Sequence, residues 1–165
     1  MVCASETMTS GALTHSDLVT RAERWLRSSK KCGVVLTEFA SSSPETPDAI
    51  GWQYGGRWSI LIECKTSLSD FYADSKKQGR SLLRSAGLGR ERYYLAPAGI
   101  LTPKAVRKNR PGWGLLEVRG RRVCMALQAI PFSHESRIKE APLLYSCVWR
   151  IQHGVGMEAV KGKKG

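Results

Sequence analysis

Apolar residues change their spacing along the chain, and each change marks a new element. A first helix is predicted over residues 16–31, with Ser16 as its N-cap, because apolar residues there recur at three- and four-residue intervals. Three stretches rich in β-branched and apolar residues follow at 34–39, 48–53 and 58–65 and predict strands. The Gly55-Gly56 pair between the last two strands accepts positive φ at both positions, so it predicts a hairpin turn.

The second half of the chain shows a weaker pattern. It predicts a helix over about 70–86 that ends at Gly87, a strand at 92–96, a short helix opened by Thr102-Pro103, and a hairpin of 115–118 and 122–127 around Gly120. No element is predicted after Pro131. The order helix, strand, strand, strand, helix, strand predicts an α/β fold with a mixed sheet flanked by helices.

A single domain is expected, because 165 residues is the size of one ordinary domain. It is predicted to cover residues 16–155, after a flexible N-terminal lead at 1–15 and before a basic flexible tail at 156–165. No apolar run approaches the roughly 20 residues needed to span a bilayer, so no membrane association is expected. The five cysteines are scattered without zinc-ligand spacing, which favours reduced thiols in a cytoplasmic protein.

The charge balance points to a polyanionic partner. Twenty-six Lys and Arg against fourteen Asp and Glu give a net charge of +12. Such an excess favours phosphate contacts that release counterions. An anionic membrane surface and simple solubility are the alternatives, and nucleic acid is favoured because no basic amphipathic membrane helix stands out.

The end of the predicted strand at 58–65 carries residues suited to metal binding and catalysis. Strand side chains alternate between faces, so Glu63 and Lys65 share a face, and Asp48 begins the neighbouring hairpin strand. Two adjacent carboxylates repel each other unless a cation lies between them, and Mg²⁺ binds to one or two carboxylates while it keeps several waters. Lys65 could orient or deprotonate the attacking water, or stabilise the transition state. The alternative is a surface salt bridge at a strand end.

Pro47-Asp48, followed fifteen residues later by Glu63-Cys64-Lys65, resembles the PD-(D/E)xK nuclease superfamily. The resemblance implies a restriction-endonuclease-like domain with an αβββαβ core. It implies that Asp48, Glu63 and the backbone carbonyl of Cys64 bind Mg²⁺ or Mn²⁺, and that Lys65 is catalytic. Many members also hold the metal indirectly through a Glu of the first helix, where Glu23 is the candidate. An exposed helix carboxylate is the alternative for Glu23.

Three longer runs, at 63–76, 92–97 and 112–116, are similar to the MmcB-like DNA-repair subgroup of the same superfamily. That similarity implies a role in DNA repair or recombination. Small members of the superfamily often act as homodimers, so a homodimer is an implied partner here as well.

A basic stripe follows the active-site strand. Residues four apart on a helix share a face, and the stripe with its neighbours comprises Lys76, Lys77, Gln78, Arg80 and Arg84. These five are the candidate DNA-binding residues, and a solvated helix face is the alternative for each. The histidines are isolated in the sequence and receive no predicted role; they are His15, His134 and His153.

The sequence therefore predicts a Mg²⁺- or Mn²⁺-dependent endonuclease that hydrolyses DNA, with an RNA substrate left open. The alternative is a non-catalytic nucleic-acid- or protein-binding module that retains the nuclease fold. Binding without cleavage, and no stabilisation by metal, would distinguish the module from the enzyme.

Overall fold

A computed structural model describes residues 12–41, 46–78, 87–132 and 137–156, with backbone alone at 75–78 and 137–138. The elements in chain order are α1 (His15–Ser28), β1 (Val34–Thr37), β2 (Ala49–Gln53), β3 (Trp58–Cys64), α2 (Leu68–Gln78), β4 (Glu91–Pro97), α3 (Pro103–Asn109), β5 (Gly114–Arg119), β6 (Arg122–Leu127) and α4 (Arg137–Gln152). The described residues thus form one α/β domain with four helices, and the predicted αβββαβ order is confirmed.

The six strands form one mixed sheet in the order β1-β2-β3-β4-β5-β6. The β3–β4 and β4–β5 pairs are parallel, and the other three pairs are antiparallel. As a result β1, β3, β4 and β5 finish at the same end of the sheet at which β2 and β6 begin. We call this the upper end, and it is the end at which Lys65 follows β3.

The sheet has a hydrophobic cluster on each face. One cluster joins α1 to side chains such as Ile60, Ile62 and Cys64 of β3. The other joins Phe71 of α2, together with side chains of α3 and α4, to residues such as Leu61. We call these the α1 face and the α2–α4 face. Strand alternation separates the two sets, because neighbouring residues of β3 point to opposite faces.

The N-cap of helix α1 lies two residues before the predicted one. Thr14, not Ser16, is the N-cap, since its hydroxyl accepts a hydrogen bond from the Asp17 N–H. The Asp17 carboxylate accepts one from the Thr14 N–H in return. This reciprocal pair satisfies two backbone donors at once, and Ser16 offers no comparable partner at that position.

The turn chemistry follows the prediction closely. Gly55 and Gly56 have φ of 63° and 85° in a short 3-10 turn, Tyr54–Gly56, between β2 and β3. Thr102 caps α3, and a proline stands in its first turn. Gly120, with φ of 56°, lies between β5 and β6. The two turns and the helix cap are each encoded by residues within a few positions, which is why the sequence pattern located all three.

Two helices differ from the prediction. Helix α2 begins at Leu68, and the hydroxyl of the preceding Ser67 accepts a hydrogen bond from the Asp70 N–H. The helix is described as far as Gln78. The predicted continuation to residue 86 lies outside the described residues. Helix α4 occupies residues for which no element was predicted, and it contains Pro142. Within the described ranges no helix is both long and apolar enough to cross a membrane.

The predicted lead and tail are only partly covered. Residues 12–14 precede α1 without helix or strand structure, and residues 1–11 lie outside the described residues. Residue 156, the first of the predicted tail at 156–165, closes the described chain, so the rest of that tail also lies outside it.

Candidate active site

The three predicted active-site residues come together at the upper end of the sheet. Strand β2 pairs with β3 in a register that sets Ala49 opposite Ile62, so one further step sets Asp48 opposite Glu63. Alternation from Leu61 places Glu63 and Lys65 on the α2–α4 face, and alternation from Ile50 places Asp48 there too. Residues directly opposite in an antiparallel pair have Cβ atoms about 5 Å apart, so the carboxylates of Asp48 and Glu63 are neighbours.

The carboxylate of Asp48 is largely buried, and both of its oxygens have contacts. Oδ2 accepts a hydrogen bond from the Cys64 N–H at 2.6 Å. Oδ1 lies 3.3 Å from Nε2 of His15. Burial is the main influence on Asp48 and raises its pKa, and the charge of Glu38 raises it further. The Cys64 N–H, His15 and Lys65 oppose the shift without reversing it.

His15 is a member of the site that the sequence did not reveal. It lies in the first turn of α1, and its Nε2 is 3.5 Å from Oε1 of Glu38 as well as near Asp48. Glu38 follows β1 with a positive φ of 46° and donates its N–H to the Asp48 carbonyl. The contact joins the start of a helix to the ends of two strands, so no local spacing in the sequence could have indicated it.

Lys65 is buried and paired with a carboxylate of α2. Its Nζ lies 3.7 Å from Oδ2 of Asp74. The same oxygen accepts a hydrogen bond from the Tyr94 hydroxyl at 3.3 Å and lies 3.8 Å from the Arg110 guanidinium. Arg110 also donates to the Asp74 backbone carbonyl at 2.9 Å. Asp74 is therefore fixed by β4 and by the end of α3 while it holds the Lys65 ammonium.

Tyr94 connects the Lys65–Asp74 ion pair to the carboxylate of Glu63. The parallel register of β3 and β4 sets Tyr94 beside Glu63, which is partly exposed. Burial raises the pKa of the Tyr94 phenol well above its usual range, so the hydroxyl is a neutral donor. Asp74 lies within the predicted second helix, yet only the tertiary fold shows that it meets Lys65 and Arg110.

Glu23 is not brought to the other three residues. Its Oε1 accepts a hydrogen bond from Arg27 at 2.9 Å, and both side chains of this pair are substantially exposed. Glu23 lies eight residues after His15 on α1, about 12 Å along the helix at 1.5 Å per residue. The structure therefore places it in an exposed helix ion pair.

The predicted DNA-binding residues are largely beyond what the structure describes. Lys76, Lys77 and Gln78 belong to the last turn of α2, where only the backbone is described. Arg80 and Arg84 lie outside the described residues. Helix α2 nevertheless starts three residues after Lys65, so its basic last turn follows the active-site strand closely in the chain.

The donor set at the upper end suits a hard divalent cation that keeps several waters. Among the described residues no group of three or more His, Cys, Asp or Glu side chains could hold a metal ion. A closed, all-protein cage is therefore missing from the described part of the chain. Two carboxylates and one carbonyl are nonetheless a set from which Mg²⁺ is commonly bound.

Comparison with known proteins identifies the fold but not a family. No family model matches the chain, and no curated protein matches it. A solved structure of the SPO1766 protein of unknown function from Silicibacter pomeroyi is similar, with a TM-score of 0.59 and 20% sequence identity. The similarity covers 86% of this chain and 89% of that one. At this identity the likeness shows a shared fold alone.

Proposed function

We propose that the chain is a divalent-metal-dependent DNA endonuclease of the PD-(D/E)xK superfamily, within its MmcB-like DNA-repair subgroup. The observation that carries the proposal is the geometry of the upper end. Asp48 and Glu63 are cross-strand neighbours, and Lys65 shares their face of the sheet. This is the arrangement that the sequence resemblance requires for metal binding and catalysis.

Each residue has a distinct role in the proposed reaction. Asp48, Glu63 and the Cys64 carbonyl would hold Mg²⁺ or Mn²⁺, which when bound supplies Lewis-acid stabilisation of charge on the scissile phosphate. Lys65, as an ion-paired ammonium, places a second positive charge beside that phosphate. Asp74 keeps Lys65 in position, and the Cys64 N–H orients the Asp48 carboxylate.

The proposed substrate follows from charge. A net charge of +12 attracts a polyanion, and the phosphodiester backbone is the polyanion on which a two-carboxylate metal site acts. DNA is proposed through the resemblance to the DNA-repair subgroup. Phosphate contacts carry no base information, so no sequence preference is proposed.

A panel of linear, circular, branched and single-stranded DNA, incubated with Mg²⁺ or Mn²⁺, tests the proposal. We expect cleavage of at least one substrate by the wild type, and its loss in Asp48→Asn and Lys65→Met. Lys31→Met is the matched control, because Lys31 is an exposed lysine at the other end of the sheet. A wild type that cuts nothing, or variants that cut normally, would overturn the proposal.

The second candidate is a non-catalytic module that binds nucleic acid or protein on the same fold. One observation favours it: both oxygens of Asp48 already have partners, Cys64 and His15, within the protein. The module predicts DNA binding without cleavage and no stabilisation by Mn²⁺. The substrate panel, repeated with an RNA strand, separates the two functions and also tests the nucleic acid that is cut.

A further inference from the structure

The β5–β6 hairpin carries a compact basic surface at the upper end of the sheet. Arg119 ends β5, Arg121 lies in the turn after Gly120, and Arg122 begins β6. All three arginines are exposed. We call them the hairpin arginines. Because β5 is connected to β3 through two parallel pairings, the hairpin turn and Lys65 lie at the same end of the sheet.

Arg119 and Arg122 also point to the face that holds the active site. Leu115 belongs to the cluster on the α2–α4 face, and Arg119 stands four residues later in the same strand. Arg122 is directly opposite Arg119 in the antiparallel register, so the two share that face. Val123, the next residue in β6, packs in the cluster on the α1 face, as alternation requires.

The register gives the separation of the two sites. Cys64 is level with Leu95, which is level with Leu116, so Lys65 is level with Glu117 two strands away. Strands are about 4.8 Å apart, so Glu117 is roughly 10 Å from Lys65 across the sheet. Each residue adds about 3.3 Å, so Arg119 lies roughly 7 Å farther along β5 than Glu117. The distance between the Cα atoms of Lys65 and Arg119 is then about 12 Å, close to the rise of three or four nucleotides at 3.4 Å each in one strand.

Charge is divided along this end of the sheet. The β1–β3 part carries the carboxylates of Glu38, Asp48 and Glu63. The β5–β6 part carries the hairpin arginines, of which Arg119 is paired with Glu117 at 2.7 Å. Positive charges gathered on one short turn repel one another, and an anion lying across them relieves that repulsion. The acidic part suits a metal ion, and the basic part suits phosphates.

We propose that the hairpin arginines bind the phosphate backbone of the DNA strand whose scissile phosphate lies at Lys65. The strand would cross the upper end of the sheet from β3 towards β6. Arg122 lies one strand beyond Arg119, and Arg121 precedes it in the turn, so they would contact phosphates about four or five nucleotides from the cut. This assignment rests on the proposed function for the position of the scissile phosphate, and it adds a binding surface separate from α2.

Binding of a short DNA duplex, measured by fluorescence anisotropy in chelator over a salt range, tests the assignment. All proteins carry Asp48→Asn so that no cleavage occurs. Arg121→Gln/Arg122→Gln is expected to weaken binding about tenfold, and to flatten the slope of log K against log salt by about 1.8, or 0.9 for each lost phosphate contact. Arg121→Lys/Arg122→Lys retains the charge and is expected to keep most of that slope.

The matched control is Lys31→Gln/Arg57→Gln, which removes two charges from exposed residues at the opposite end of the sheet. We expect it to bind within about twofold of its parent, with the slope unchanged. Hairpin variants that bind like the parent, or a control that loses as much, would overturn the assignment. Since binding is measured without cleavage, a wild type that fails to cut DNA overturns the proposed function and leaves this result standing.

Discussion

Two carboxylates lie at opposite ends of the α2–α4 face of β2 and β3, and their surroundings differ: the carboxylate of Glu140 is buried, and that of Asp48 is partly exposed. Glu140 of α4 is 3% exposed and accepts hydrogen bonds from three neutral donors: the Trp52 indole at 2.8 Å, the Ser59 hydroxyl at 2.6 Å and the Gly89 N–H at 3.1 Å. Asp48 has one backbone donor and an imidazole that it shares with Glu38.

In the proposed function, the difference separates a carboxylate that stabilises the fold from one that binds a ligand. The three donors of Glu140 anchor α4 to β2, to β3 and to the turn before β4, and they satisfy most of its acceptor capacity. Asp48 pays a desolvation penalty that its partners do not remove, which is why its pKa is raised. Groups with perturbed pKa in this kind of setting cluster at functional sites.

Neutralising Asp48 should have the largest effect, and it should be a loss of activity without a loss of stability. Asp48→Asn keeps an oxygen for the Cys64 N–H but removes a proposed metal ligand, so we expect cleavage to fall on the order of 10³-fold or more. The midpoint of thermal unfolding without metal should not fall. Single-turnover cleavage and thermal unfolding of the same preparation check both. A loss of stability in parallel with activity would make Asp48 structural, like Glu140.

Glu140→Ala should show the reverse pattern. It leaves the donors of Trp52, Ser59 and Gly89 without their acceptor, so the free energy of unfolding should fall by about 3 kcal/mol or more. Urea denaturation measures that loss. Below the unfolding transition, the cleavage rate per folded molecule should stay within a few-fold of the wild type, because Glu140 lies away from the upper end. A specific loss of turnover with normal stability would contradict the comparison.

Asp74→Asn tests whether Lys65 depends on its carboxylate partner. The substitution keeps the backbone carbonyl that Arg110 contacts but removes the charge that holds the ammonium, so we expect kcat to fall about 10- to 100-fold with little change in KM. Asp70→Asn, an exposed carboxylate one turn earlier in α2, is the control. A fall in DNA affinity with unchanged kcat would assign Asp74 to substrate binding.

The pH dependence of stability gives the smallest expected effect. The pKa of Asp48 is raised in the folded protein, so folding favours its protonated form. The wild type in chelator should therefore lose stability relative to Asp48→Asn as pH rises from the unfolded pKa of 3.8 through the folded pKa. Below 3.8 the stability difference between the two proteins should no longer change with pH. Urea midpoints of both proteins across pH check the sign. If the wild type instead loses stability relative to Asp48→Asn as pH falls, the pKa of Asp48 is lowered in the folded protein.

Most of the fold could be predicted because its signals are local. The strands β1 to β3 carry β-branched runs, and the turns at Gly55 and Gly120 need glycine at positive φ. Helix α4 was not predicted. It is apolar on both sides, with Tyr145 and Ile151 exposed and Leu143 buried, and Pro142 lies within it. No single apolar face with helical spacing therefore marked it.

The candidate site could be predicted only in part, because only some of its contacts are local in the sequence. Glu63 and Lys65 stand two apart in one strand, so alternation alone puts them on one face. The contact of His15 with Asp48 and that of Asp74 with Lys65 each join a helix to a strand end, and they depend on how α1 and α2 dock on the sheet. Glu23, which was predicted from the resemblance, instead pairs with Arg27.

A Mn²⁺ titration followed by thermal unfolding tests the central claim most directly, that Asp48 belongs to a cation site and Glu140 does not. Wild type and Asp48→Asn are compared in the same buffer, with Glu140→Gln as the second control. The unfolding midpoints of wild type and Glu140→Gln should rise with Mn²⁺ as ligand binding to the folded state requires, and that of Asp48→Asn should stay flat. Equal shifts in wild type and Asp48→Asn, or no shift in either, would contradict the account.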